Sequence, residues 1–193
     1  MERSRELLEG TTTVKATMLL AHLAWVKERL GDPLVVLAPG LSAEAARLVE
    51  TPPLATQWIP FRLLVEIDRA IAVAAGGDAS DTLVRLGQAS ARVNLTGIYK
   101  TFVASEPHRF FEKSALLHDR FQNFGRAAYE RTGERSGRMS MVGYGVHSPV
   151  YCLTGAGFYE EALKLLQAPG PVVVVEKCCR CAGDDACVYE MSW

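Results

Sequence analysis

The chain has 193 residues, 49% of them hydrophobic and 22% charged, with a formal net charge of −1. That size and balance give one globular domain over residues 1–193, with a core large enough to need no disulfide staples. They exclude the strongly basic footprint of a nucleic-acid binder.

The first ten residues, MERSRELLEG, lack the apolar centre of a signal peptide. The longest apolar run, ATMLLAHLAWV, contains His22 and is too short to span a bilayer. A cytoplasmic protein without a membrane span is expected, and in that compartment structural disulfides are disfavoured. Leu19, Leu20, Leu23 and Val26 then recur at helical spacing up to Gly31. LSAEAARLVE predicts a short helix capped by Ser42 and stopped by Pro52-Pro53. A third helix opens at Pro60 and buries Leu64, Ile67 and Ile71. A fourth runs from near Ser80 through Leu83, Leu86 and Val93 to Phe102. A fifth starts at Pro107 and carries Phe110, Leu117, Phe121 and Phe124 along one stripe, with His118 beside it.

After Gly125 the texture changes. RAAYERTGERSGRMSMVGYG alternates around a charged, Gly-containing turn and predicts a β-hairpin. HSPVYCLTGAGFYEEALKLLQAPG reads as a helix with Ser148 as N-cap and Pro149 in the first turn. PVVVV suits a strand buried on both faces, and CVYEMSW forms the last strand. The expected class is α+β, an N-terminal helical layer packed on an antiparallel sheet of about four strands.

Four of the five cysteines fall within residues 176 to 187, EKCCRCAGDDAC; the fifth is Cys152. Clustered thiols in a reducing compartment point to a metal, to redox chemistry, or to chance. Cys152 would lie in the first turns of its helix, where the positive end of the dipole favours thiolate. The GDD turn would bring Cys179 and Cys187 to the two sides of one loop, and Glu176 ends an apolar strand where an unpaired charge is expensive. Together, Cys152, Glu176, Cys179 and Cys187 would complete the closed shell that structural zinc requires. Cys178 and Cys181 make a second pair, but no helix N-terminus follows to support a redox CxxC.

The spacing of Glu176, Cys179, Gly183, Asp184 and Cys187, with Cys152 in PVYCLTGAGFY, resembles the C-terminal signature of 4-vinyl reductase domains. It is most similar to the sensor domains of phenol- and xylene-responsive activators. The whole chain also resembles an uncharacterised bacterial paralogous family with the same ending. The resemblance implies a TRAPP-like fold, usually dimeric, with structural zinc on Cys152, Glu176, Cys179 and Cys187 and a ligand pocket between helices and sheet. The extra thiols Cys178 and Cys181 depart from that pattern, and no His–Trp pair stands where those sensors anchor a phenol.

The function expected from this reading is a small-molecule-binding regulatory domain and not an enzyme. Its ligand is small and hydrophobic, and its walls are drawn from Phe102, Phe110, Phe121, Phe124, Met139, Met141 and Tyr144. A homodimer is expected. The alternative is a TRAPP-like interaction scaffold, which would have a solid core in place of a cavity.

Overall fold

A computed structural model describes residues 11–97, 99–104 and 106–193. The charged segment 1–10 and the Phe102 side chain, both singled out from the sequence, lie outside the described residues.

The chain begins with a short strand, β1 (Thr13–Lys15), paired antiparallel with β2 (Trp58–Pro60) so that Val14 faces Ile59. Between them lie α1 (Thr17–Arg29), α2 (Pro33–Leu37) and α3 (Ala43–Glu50). Ser42 caps α3 as expected, its hydroxyl accepting from the Ala45 N–H at 3.2 Å. Pro60 closes β2, and α4 (Phe61–Ala75) starts at the next residue. Its apolar stripe is buried, with Leu64, Ile67 and Ile71 each at most 1% exposed. Gly76 then takes a φ of +66°, which ends the helix.

Asp78 caps α5 (Ala79–Thr96). This helix stops six residues short of Phe102, the end expected from periodicity. Gly97 breaks the ladder, Tyr99 N–H turns back to the Asn94 carbonyl, and a short 3₁₀ turn follows over Lys100–Ala104. Glu106 and Pro107 then start α6 (Pro107–Leu116), the Glu106 carboxylate accepting from the Arg109 and His108 N–H groups. The predicted aromatic stripe therefore divides. Phe110 is on the helix, whereas Leu117, Phe121 and Phe124 lie on the turn and loop beyond it.

The sheet comprises β3 (Arg126–Gly133), β4 (Ser136–Val142), β5 (Val173–Cys178) and β6 (Cys187–Ser192) in the order β3-β4-β6-β5, all antiparallel. The α+β class and the four strands agree with the sequence. One strand does not: Val173 is 48% and Val175 42% exposed. The run PVVVV is thus an edge strand with one solvated face, and not one buried on both. Between the hairpins runs α7 (Pro149–Leu165), with Ser148 as N-cap and Pro149 at its first position.

Among the described residues, two apolar clusters hold the fold. The first joins α1 and α4 around Leu19, Leu37, Phe61, Leu64 and Ile67. The second lies between α6, α7 and the sheet around Phe110, Phe111, Met139, Tyr159 and Tyr189. His108 ties the second together. Its Nδ1 meets the Tyr129 hydroxyl at 2.7 Å, its Nε2 meets the Glu134 carbonyl at 2.9 Å, and its ring packs on Trp193. The helices α5 and α7 cross with backbones in contact. A Cβ on Gly87 would sit 1.9 Å from the Thr154 carbonyl oxygen, and one on Gly157 would sit 2.0 Å from that of Val84. Among the described residues, no helix is long and apolar enough to cross a membrane.

Candidate functional site

The helical layer and the sheet do not close completely on each other. A cavity of about 210 Å³ remains between α1, α5, α6, α7 and the inner face of β4 and β6. For scale, an apolar protein cavity of about 150 Å³ accepts a benzene molecule. Most of the wall is apolar, including Met18, Leu64, Leu95, Phe110, Phe121 and Phe158. No Lys, Arg, Asp or Glu lines it among the described residues. A space without a counter-charge does not suit a charged ligand.

Polar side chains reach the wall in groups. At the α1–α5 side, Thr17 donates to the Asn94 side-chain carbonyl, and the Asn94 amide donates to the Ser90 carbonyl at 2.9 Å. At the opposite end, Tyr151 donates to Gln122, whose amide donates to the Tyr144 hydroxyl. That hydroxyl lies 3.0 Å from His118 Nε2. Burial raises both phenols well above the ordinary tyrosine range, so they stay protonated. His118 is lowered by burial, with the Phe124 carbonyl acting in the opposite direction. The third polar feature is His22, 2% exposed, whose Nδ1 lies 2.7 Å from Oδ1 of the equally buried Asp68.

Of the seven aromatic and methionine residues expected on the walls, Phe110, Phe121, Met141 and Tyr144 are there. Phe124 and Met139 are not. Phe124 packs between Phe61 and Tyr144 at 4.9 and 5.2 Å, and Met139 is 1% exposed within the sheet-side cluster. The reading from sequence missed Tyr151, Gln122, Asn94 and the His22–Asp68 pair. For that pair the signal is present: each residue interrupts the apolar stripe of its helix, among Leu19, Leu23 and Val26 in α1 and Leu64, Ile67 and Ile71 in α4.

The thiol cluster borders the same cavity, since Cys152 and Cys187 both line it. Gly183 takes a φ of +102° and the Asp184 carboxylate accepts from the Cys179 N–H at 2.7 Å, which shapes the turn leading to Cys187. Cys152, Glu176, Cys179 and Cys187 come together, one ligand atom from each lying within 4.8 Å of all the others. Cys152 Sγ is 3.6 Å from Cys187 Sγ and 3.8 Å from Cys179 Sγ. The helix start does not make Cys152 a thiolate. Its hydrogen bonds to Cys181 and Cys187, and then its burial, push its pKa far up. Cys187 receives the benefit and is lowered to about 7, first by the bond from Cys152. Burial and the Glu176 charge raise Cys179 to about 12, so protonated sulfur faces the carboxylate.

Residues 70–193 match the model of the family described as "Protein of unknown function (DUF2378)". The chain belongs to that family. No curated protein matches it. Solved structures that share its fold are H-NOX domains. One is the H-NOX protein from S. oneidensis in the Fe(II)NO ligation state, at 12% identity and TM-score 0.70, covering 92% of this chain and 98% of that one. A second is an oxygen-binding H-NOX domain related to soluble guanylate cyclases, at 12% identity and TM-score 0.67, covering 92% of each chain. A third, described under heme distortion in the H-NOX family, has 12% identity and TM-score 0.70, and covers 93% of this chain and 94% of that one.

These likenesses correct two expectations. The resemblance to 4-vinyl reductase domains and the TRAPP-like fold are replaced by the H-NOX fold, which spans nearly the whole chain. The short cysteine signature was specific in spacing but covered only the last quarter, so it could not fix the topology of the helical layer. Structural zinc is also set aside. The domains sharing the fold are described with heme, and three thiols gathered near a carboxylate are not in themselves evidence for zinc.

Proposed function

We propose that this protein is a small-molecule-binding sensory domain whose ligand is uncharged, apolar over most of its surface and about the size of one or two rings. The observation that carries this reading is the 210 Å³ cavity with no charged side chain on its walls among the described residues. Sites for small molecules are mostly apolar with a few placed polar groups, and this one lies where the helical layer meets the sheet. Binding there bridges α1, α5 and α7, so occupancy would change how firmly the layers are held together. The scaffold alternative rests on a solid core, which the cavity does not favour. The reading assigns the domain binding and no turnover.

Heme is the group that the shared fold brings forward, and the residues here do not fit it. A tetrapyrrole is several times larger than the benzene that fills a comparable space. Its two propionates would find no Arg or Lys on the described walls, and a buried carboxylate without a partner is expensive.

The test is a thermal-shift and native mass-spectrometry screen with neutral one- and two-ring compounds, beside hemin. Several neutral compounds should raise Tm and bind at one per chain. Hemin that binds stoichiometrically with a sharp Soret band, while neutral compounds do nothing, would overturn the reading.

A further inference from the structure

A ligand in an apolar cavity takes its orientation from wall groups whose hydrogen bonds the protein does not already satisfy. The Tyr151–Gln122–Tyr144–His118 chain is satisfied within itself, as is the Thr17–Asn94–Ser90 group. Ser114 donates to the Phe110 carbonyl, Thr154 to that of Tyr151, and Tyr189 to that of Cys152. His22 differs. Its Nδ1 is committed to Asp68, while its Nε2 makes no hydrogen bond among the described residues although the ring lines the cavity.

Resting on the cavity reading, we propose that His22, oriented by Asp68, is the polar anchor of the site, and that the ligand carries a hydroxyl or N–H group that donates to Nε2. The chemistry follows from the pair. With the Asp68 carboxylate 2.7 Å from Nδ1, the ring in its neutral form carries its proton there and its lone pair on Nε2. A carboxylate behind an imidazole also locks the ring plane. Asp68 is 1% exposed and pairs with no Lys or Arg among the described residues, so the imidazole is its partner. A clamp between α1 and α4 would need only the Nδ1 contact. The free edge on the cavity is what makes the pair an anchor.

Matched probes test this: indole against indene, and benzyl alcohol against ethylbenzene, which differ chiefly in the donor. Affinities are measured by isothermal titration on the full chain. A neutral hydrogen bond in a dry site predicts about five- to tenfold tighter binding of each donor compound. In His22→Gln and Asp68→Asn that ratio should shrink towards one. The wild-type ratio needs no variant, so misfolding of either substitution leaves the test intact. Equal binding of donor and non-donor in the wild type would overturn the anchor and spare the cavity reading. Failure of all four probes to bind would overturn both.

Discussion

Single residues at this site are defined by what they are bonded to. His118 shows how that becomes a pH effect. Burial lowers its pKa below the ordinary value of 6.5, and the Phe124 carbonyl opposes that only in part. The unfolded chain therefore takes up a proton near pH 6.5 that the folded chain resists. Between that pH and the lower folded value, the unfolded state holds more protons, so stability rises with pH there. The contribution is fully present above pH 6.5 and is lost as the pH falls through the folded value. Denaturant midpoints should accordingly decline between pH 7 and pH 5, and His118→Gln should flatten that decline. An identical slope in the variant would show that His118 is not the group responsible. The thiols obey the same rule: Cys152 sits at a helix start, yet hydrogen bonding to its neighbours outweighs the dipole and keeps its proton on.

Elements were legible where a local rule decided them and illegible where a distant contact did. Ser42, Ser148 and Pro149 mark helix starts by their own chemistry, and all three stand where expected. The strands β1 and β2 have three residues each, too short for alternation to register, and they exist because Val14 pairs with Ile59 on one side and bridges to Gln122 on the other. The end of α5 was overrun because apolar periodicity continues past Gly97 although the helix does not. In the site, the GDD turn already brings Cys179 and Cys187 together, whereas Cys152 joins them through the packing of α7 on β6, where Tyr189 donates to its carbonyl, a contact that spacing alone does not encode. Whether Phe121 or Phe124 faces the cavity is fixed by how the loop is pinned to β1, through Lys15 N–H to the Phe121 carbonyl at 2.8 Å and Asn123 N–H to the Thr13 carbonyl at 3.1 Å, which no spacing encodes. The glycines of the α5–α7 crossing make a test at this scale. Gly87→Ala or Gly157→Ala must push a backbone carbonyl away and should cost about 1–3 kcal/mol. Gly155→Ala meets the Tyr189 phenol at ordinary contact distance, its hydroxyl at 3.5 Å and Cζ at 3.8 Å, and, in a helix interior, should be neutral or stabilising by up to about 1 kcal/mol. Urea melts of the three variants check the contrast, and equal losses would mean that the crossing is looser than described.

For the molecule as a whole, the question is whether the gap between helices and sheet is real space held ready for a ligand. A bound ligand stabilises only the folded state, by about 2.7 kcal/mol at a hundredfold excess over Kd, so occupancy and stability are linked through that gap. Filling it with the protein's own atoms separates the two. Leu95 lies on the α5 side of the wall and is 4% exposed. In a packed core, Leu95→Phe would be overpacking and cost about 1–3 kcal/mol. Facing a 210 Å³ cavity, the larger ring enters existing space, and the buried apolar area it adds offsets its lost rotamer freedom. The variant should melt at or above the wild-type temperature and lose the Tm shift given by benzyl alcohol or indole. A lower melting temperature with the ligand response intact would mean that the side chain clashes elsewhere and that the probes bind outside this space.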